Sequence, residues 1–357
     1  MRLLELPTIL SLLALVTALP ANVPSKPLPL LIWHGLGDKY DAEGLKTVGI
    51  LAKKVHPGTY VYYIHLDEDG NSDRTATFFG NLTEQVEQVC EDIKQDPRLL
   101  APQMEDGLRV DALGFSQGGQ FLRGLLERCD GLSVRSLITF GSQHNGINEF
   151  QTCGNFDLVC KGATALVKGN AWTDYVQSHV VPAQYYRTLN TTTLHATDDY
   201  LNHSNFLADI NNEREHKNKR YAAKMAELEN FVMYVFDEDK TVIPKESGWF
   251  AEVNSTDPDR KEGHGIIPLR ERRIYKEDWL GLRKLDEKGG LVFKTTPGAH
   301  MSLKQNVLAD AFREYFGAET DQKANGIVRQ GGALDDEAIV WDKYQEWRAL
   351  DEPKVIL

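Results

Sequence analysis

Long hydrophobic runs are nearly absent from this 357-residue chain. Beyond the first twenty or so residues, no stretch is long and apolar enough to span a bilayer as a helix. Positive charge is also short: 40 Lys and Arg stand against 52 Asp and Glu, a net charge of -12. That balance disfavours nucleic acid as a partner and leaves no basic patch to hold anionic lipid. Cysteine is scarce, with four in all. They form no CxxC pair and have no neighbouring His pair, so neither a zinc site nor any other metal or cofactor is expected. What is present is 41% hydrophobic and 26% charged residues, the composition of an ordinary globular protein. The length suits one large domain or two ordinary ones.

The apolar run that does exist lies at the start. Arg2 precedes "ILSLLALVTAL", and Ala18 and Ala21 supply small residues for cleavage. This pattern predicts a signal peptide over residues 1–21, because the run is too short to span and "PANVPSKPLP" breaks any helix after it. Entry into the secretory pathway changes the meaning of the cysteines, since an even set in an oxidising compartment predicts disulfides. Cys153 and Cys160 bracket the short loop "CGNFDLVC", which suits a local bridge and leaves Cys90 with Cys129. Sequons at Asn81, Asn190, Asn202 and Asn254 predict surface loops that carry glycans.

Along the chain, strand and helix signals alternate. "LPLLIW" (28–33) reads as a buried strand that ends in a glycine turn, and 44–55 reads as a helix. Residues 59–66 read as a strand, and 82–99 as a helix with Leu82, Val86, Val89, Cys90 and Ile93 on one face. "RVDALGF", "GGQFLRGLLERC" and "VRSLITFGS" continue as strand, helix, strand. From 145 to about 220 no clear strand occurs. A helix at about 218–230, the strands "ENFVMYVF" and "GGLVFKTT", and a closing helix "SLKQNVLADAFREYF" then resume the alternation. This order predicts an α/β domain over 27–317, with a mostly parallel sheet flanked by helices. A helical insertion at about 145–225 would lie over the carboxyl ends of the strands, where such folds bind ligands. Residues 318–357 read as an acidic extension with one helix, "DDEAIVWDKYQEWRAL".

Gly114-Phe115-Ser116-Gln117-Gly118 matches G-x-S-x-G, with a strand before it and a helix after it. A serine held on so sharp a turn needs small neighbours, and the helix start behind it favours negative charge there. Ser116 is therefore the expected nucleophile. It needs a base, and the base needs an orienting acid, in the chain order Ser, acid, His. His300 follows an apolar strand directly and precedes the final helix, whereas His264 sits in the charged loop "DRKEGHGI". His300 is the expected base. Asp237, Glu238 and Asp239 all follow "FVMYVF", and chain order does not separate them. Two backbone N–H groups should form an oxyanion hole, one from Gln117 and one from Leu36 in "WHGLGD". His34 and His144 read as structural.

Taken together, "LIWHGLGD", "GFSQGGQFLRG", "GSQHNGI", "NHSNFLADINNER", "FVMYVF" with "DKTVIP" and "GWF", and "PGAH" resemble the palmitoyl-protein thioesterases, in particular their lysosomal type 1 branch. The resemblance covers about residues 28–317. It implies an α/β-hydrolase whose insertion builds an apolar groove for a fatty acyl chain. It implies hydrolysis of the thioester between palmitate and cysteine in S-acylated proteins or peptides, in a lysosome or vacuole or outside the cell. It assigns Ser116, Asp239 and His300 to the triad, and Leu36 and Gln117 to the oxyanion hole. It repeats the pairings Cys90–Cys129 and Cys153–Cys160 and marks Asn202 as a glycosylation site. Two departures stand out. A pair of adjacent cysteines found in animal members is replaced by "KYDAEG", and the residues after "FREYFG" have no counterpart in the animal enzymes. The competing expectation is a secreted lipase or carboxylesterase acting on oxygen esters. A lipid carrier on a hydrolase scaffold is a third, and an intact Ser-Asp-His set argues against it.

Overall fold

A computed structural model describes residues 26–100, 107–150, 158–167, 169–190, 192–253, 265–318 and 354–356. The expected signal peptide, Cys153, the side chain of Cys160, Asn254, His264 and the expected C-terminal helix lie outside the described residues.

The first half of the chain runs β1 (Leu30–Trp33), α1 (Glu43–Val55), β2 (Val61–Tyr63), α2 (Gly70–Ala76), α3 (Leu82–Gln95), β3 (Leu108–Phe115), α4 (Gln117–Arg128) and β4 (Leu132–Phe140). Among the described residues, five α-helices and a 3-10 helix (Val181–Tyr185) follow before the sheet resumes: the α-helices are α5 (Leu158–Val167), α6 (Asp174–His179), α7 (Asp198–His203), α8 (Leu207–Ile210) and α9 (Lys219–Glu227). The last part holds β5 (Asn230–Phe236), β6 (Glu252–Val253), β7 (Ile266–Ile267), α10 (Arg273–Lys276), α11 (Leu282–Glu287), β8 (Leu291–Thr296), β9 (Ser302–Lys304), α12 (Gln305–Tyr315) and β10 (Lys354–Ile356).

Six strands form one sheet in the order β2-β1-β3-β4-β5-β8, and every pairing within it is parallel. Parallel strands covered on both faces read as continuous apolar runs rather than alternating ones, as "LLIW" and "NFVMYVF" do. Successive side chains still part to opposite faces. Leu31, Trp33, Val110 and Met233 join a core with α3 and α4, while Leu30, Ile32, Leu113 and Val232 join a second core with α1 and α12. The molecule is thus a three-layer α/β hydrolase-type fold.

A buried charged pair interrupts this pattern. Asp111 sits in the middle of β3, wholly buried, beside a register shift between Val110 and Ala112. Arg135 on β4 grips both of its oxygens, and the same guanidinium donates to the Gly317 carbonyl at 2.8 Å. Burial, opposed by Arg135, pushes the Asp111 carboxyl up to about 6. The pair ties the chain after α12 to the sheet.

Local chemistry moved several element boundaries. The helix expected over 82–99 ends at Gln95, because Pro97 disfavours helical geometry in the residue before it. Residues 302–304 do not start the last helix: they pair antiparallel with 354–356. Helix α2 was not anticipated. It is short and polar, and Asp69 caps it by accepting from the N–H groups of Asn71 and Ser72.

The direction of chain travel across the sheet reverses between β1 and β3. The chain leaves β1 for β2 at the edge, then returns to β3 on the other side. The loops after β1 and β3 therefore face each other at a switch point, where open parallel sheets bind ligands.

Candidate active site

β3 delivers the chain to Ser116, whose backbone takes φ 52° and ψ -126°, and α4 begins at the next residue. A non-glycine residue at positive φ is strained, and strain of this kind persists only where its surroundings enforce it. Here close approach does so. A Cβ on Gly114 would lie 2.2 Å from Gly119 Cα, and one on Gly118 would lie 2.3 Å from the His34 carbonyl oxygen. The glycines of the motif are needed because α4 starts almost in contact with the ends of β1 and β3. The Ser116 N–H is taken by the Phe140 carbonyl at 2.8 Å, which fixes the turn against β4.

His300 lies in the loop between β8 and β9. Its Nε2 is 3.1 Å from Ser116 Oγ, and its Nδ1 is 2.7 Å from Asp239 Oδ2. With Nδ1–H donating to the carboxylate, Nε2 is the nitrogen that accepts from the serine hydroxyl. Asp239 is held in turn: its Oδ1 accepts from Thr241 N–H at 2.8 Å and Val242 N–H at 3.0 Å. The acids that chain order left open differ in what they reach. Asp239 reaches the imidazole, while Asp237 Oδ1 accepts from Gly298 N–H at 2.7 Å and pins the loop that carries His300. The three side chains can pass a proton from Ser116 to His300 while Asp239 orients the imidazolium.

Leu36 lines the cavity beside Ser116. Among the described residues, neither the Leu36 N–H nor the Gln117 N–H donates to an acceptor. The Gln117 N–H opens the N-terminus of α4, the end that favours negative charge. The loop that carries Leu36 is braced by α2 and the residue after it. Gly37 N–H donates to Thr77 Oγ1 at 2.9 Å, and Arg74 Nε donates to the Gly37 carbonyl at 2.7 Å. Asp73 accepts from His34 Nε2 at 3.0 Å, from Tyr40 N–H at 2.9 Å and from Leu66 N–H at 2.8 Å. Burial pushes the Asp73 carboxyl up, but His34 and these N–H groups outweigh it and hold it below the usual carboxylate value. His34 belongs to this brace, and its ring nitrogens are engaged by Asp73 and the Gly35 carbonyl rather than by Ser116.

A cavity of about 320 Å³ opens on Ser116 and His300. Its walls are largely apolar, with Leu36, Phe78, Ile147, Phe150, Tyr185 and Val242 among them. Phe150 and Tyr185 come from the segment between β4 and β5, so that segment roofs the cavity. It is anchored from below by charge. Arg123 of α4, wholly buried, donates to Ile210 O at 2.8 Å, Asn211 Oδ1 at 2.6 Å and Glu127 Oε1 at 3.1 Å. Burial, only partly offset by Arg123, pushes the Glu127 carboxyl up to about 8, and its Oε2 has no partner among the described residues. His144 bonds Thr139 Oγ1 at 3.0 Å and stacks on Phe250. Burial and the nearby Arg123 hold it well below its usual pKa, so it is a neutral packing residue.

Cys90 of α3 and Cys129, just past α4, form a disulfide across 39 residues. Closing a loop of that size contributes roughly 4 kcal/mol in the chain-entropy picture. Of the sequons within the described residues, Asn190 and Asn202 are exposed. Asn81 is half-buried and caps α3: its Oδ1 accepts from Thr83 N–H, and its Nδ2 donates to Glu84. Sequence reasoning missed Asp73, Arg74 and Thr77 altogether. Their segment, "DGNSDRTATFFG", has no apolar periodicity, and its one legible signal was the Asp69 cap.

Comparison with known proteins places the chain in a family. The family profile described as palmitoyl protein thioesterase matches residues 29–300. Palmitoyl-protein thioesterase 1 of Caenorhabditis elegans is 35% identical over 312 residues, which cover 87% of this chain and 98% of that protein. A longer Schizosaccharomyces pombe protein, palmitoyl-protein thioesterase-dolichyl pyrophosphate phosphatase fusion 1, is 35% identical over 301 residues, 84% of this chain and 45% of its own. The lysosomal thioesterase PPT2 homolog of Drosophila melanogaster is 26% identical over 295 residues, 81% of this chain and 91% of its own.

Proposed function

The chain belongs to the palmitoyl-protein thioesterase family, and on that premise we propose that Ser116, His300 and Asp239 carry out its thioester hydrolysis, with Leu36 and Gln117 as oxyanion donors. The reaction is cleavage of the thioester between a long-chain fatty acyl group and a protein cysteine. The observation that carries the residue assignment is the continuous line from Asp239 Oδ2 through the His300 ring to Ser116 Oγ, at 2.7 and 3.1 Å.

In this scheme Ser116 attacks the thioester carbonyl as its proton passes to His300 Nε2. The oxyanion is received by the two backbone N–H groups; as it collapses the C–S bond breaks, and the cysteine sulfur leaves as the thiol, taking the proton back from His300. Water then attacks the acyl-serine, and His300 again takes the proton, releasing the fatty acid and restoring the serine. A cysteine thiolate has a pKa of about 8.5, so it leaves with less help than an alkoxide needs. Selection can then rest on the acyl chain, with each buried CH₂ contributing about 0.8 kcal/mol. The apolar cavity walls support this reading. The N-terminal apolar run, the Cys90–Cys129 bridge and the lysosomal name of the Drosophila relative support a secretory route ending in a lysosome or vacuole.

The test is a panel of thioesters and oxygen esters of matched chain length. The expected result is preferred turnover of palmitoyl-cysteine peptides, abolished in Ser116→Ala. Equal or faster turnover of glycerides would transfer the protein to the lipases and carboxylesterases.

A further inference from the structure

Thr77 touches both oxyanion-donor segments at once. Its Oγ1 accepts the Gly37 N–H at 2.9 Å and donates to the Arg74 carbonyl at 2.7 Å. Its own carbonyl accepts from Gln117 Nε2 at 3.2 Å. Gly37 directly follows Leu36, and Gln117 supplies the other donor through its backbone. The Gln117 amide is used on both ends, because its Oε1 accepts from the Tyr185 hydroxyl at 3.1 Å. Thr77, Gln117 and Tyr185 are each at most 2% exposed. The side chains that make these bonds are buried, so losing one bond leaves its partner unsatisfied.

An oxyanion hole works only if its donors stand ready at the position the charge will take. Here the two donors come from different loops, after β1 and after β3, and no covalent proximity holds them in register. Gly37 sits at φ 79°, so its loop has conformational freedom that must be restrained by contacts. Resting on the oxyanion assignment above, we propose that Thr77 is a positioning residue that holds the two oxyanion donors in register, and that the Gln117 side chain extends this tie to Tyr185 in the cavity roof. Thr77 does not touch the reacting atoms. It acts through Gly37 on Leu36, and through the Gln117 amide on the start of α4. The neighbouring Phe78 and Tyr185 line the acyl cavity, so the same bridge links the roof of the acyl site to the oxyanion site.

The experiment compares Thr77→Val, which keeps shape and loses the hydroxyl, with Thr77→Ser, which keeps it. Each is assayed on a palmitoyl-cysteine peptide, and each is titrated with a long-chain alkyl boronic acid, which adds to serine and mimics the tetrahedral state, and with palmitate. Removing an oxyanion donor costs ~10²–10³ in kcat, so misplacing the pair should cost about tenfold. The expected result for Thr77→Val is that loss in kcat with KM within about twofold, an equal weakening of the boronate and unchanged palmitate affinity. Thr77→Ser should restore all three. Unchanged kcat and boronate affinity, or a rise in KM alone, would overturn the proposal. If Thr77→Val does not fold by thermal melt, Gln117→Met decides instead: it retains the backbone N–H and removes the amide. The same kcat and boronate losses uphold the bridge, and wild-type values overturn it. Ser116→Ala run alongside separates the two levels. An active Ser116→Ala defeats the triad reading itself, whereas an inactive one with wild-type-like Thr77→Val defeats only the bridge.

Discussion

The loops on the two sides of Ser116 are held by opposite means. On one side, the loop after β1 is gripped by buried groups: the Asp73 side chain has no exposure, and Thr77 has 2%. On the other, the loop that presents His300 is pinned by Asp237, an exposed residue whose own carbonyl accepts from Lys245 Nζ. The difference matches the two tasks. Oxyanion donors stabilise charge only if they are already in place and do not reorganise. In the proposed mechanism the imidazole exchanges a proton with the attacking hydroxyl, then with the leaving group and with water, so its loop needs orientation more than rigidity. Orientation comes from Asp239, whose side chain is 1% exposed and fixed by two N–H groups.

The hardest break is at the imidazole. His300→Ala should lower kcat by about 10⁶ and Asp239→Asn by about 10⁴, measured as palmitoyl thioester turnover, because removing the base is worse than leaving it in the wrong tautomer. On the buried side, Asp73→Asn puts an N–H donor where three donors converge. Leaving a buried donor facing another donor in this way should cost about 1–3 kcal/mol of stability and disturb the loop after β1, read as a lower melting temperature and a lower kcat. Asp237→Ala sharpens the contrast. It removes one solvent-exposed hydrogen bond, worth about 1 kcal/mol, so activity should fall by less than about tenfold and the melting temperature should barely move. A large loss there would erase the distinction between the two loops.

Dependence on pH gives the mildest test. Asp73 has its carboxyl pKa depressed in the fold, so its contribution to stability is present above its ordinary value of 3.8 and is lost only as pH falls through the lower folded value. The brace therefore stays intact in a mildly acidic compartment. Glu127 has the opposite sign. Its folded value is raised to about 8 from 4.5, so its stabilising protonation is complete below 4.5 and disappears as pH rises through 8. Thermal melts of the wild type should therefore decline between pH 5 and pH 8, and Glu127→Gln should flatten that decline. An unchanged slope would mean that Glu127 is ionised throughout.

How much of this was legible in advance varies by region. The strands β1, β3, β4 and β5 were readable because burial on both faces makes each largely apolar, the edge strand β8 was readable from its apolar start "LVF", and chain order then singled out Ser116 and His300. β2 was overread, at eight residues against three, because aromatic and β-branched residues continue past the point where the edge strand stops pairing. Helix α2 was invisible, since its residues are chosen for contacts with a loop some forty positions away rather than for an apolar face.

The order of residues along the chain is enough to specify the layered α/β fold, the serine on its glycine turn and the histidine that follows the last sheet strand. These depend on local sterics and on burial patterns that recur every few residues. Local pattern did not separate Asp237 from Asp239, nor did it reveal that Asp73 and Thr77 hold the loop after β1. Two carboxylates two positions apart differ only in which distant group each one meets, and a hydrogen bond between Gly37 and Thr77 exists only once β1 and α2 have been brought together. Those assignments are properties of the packed chain, because they are decided by contacts among residues that sequence spacing does not relate.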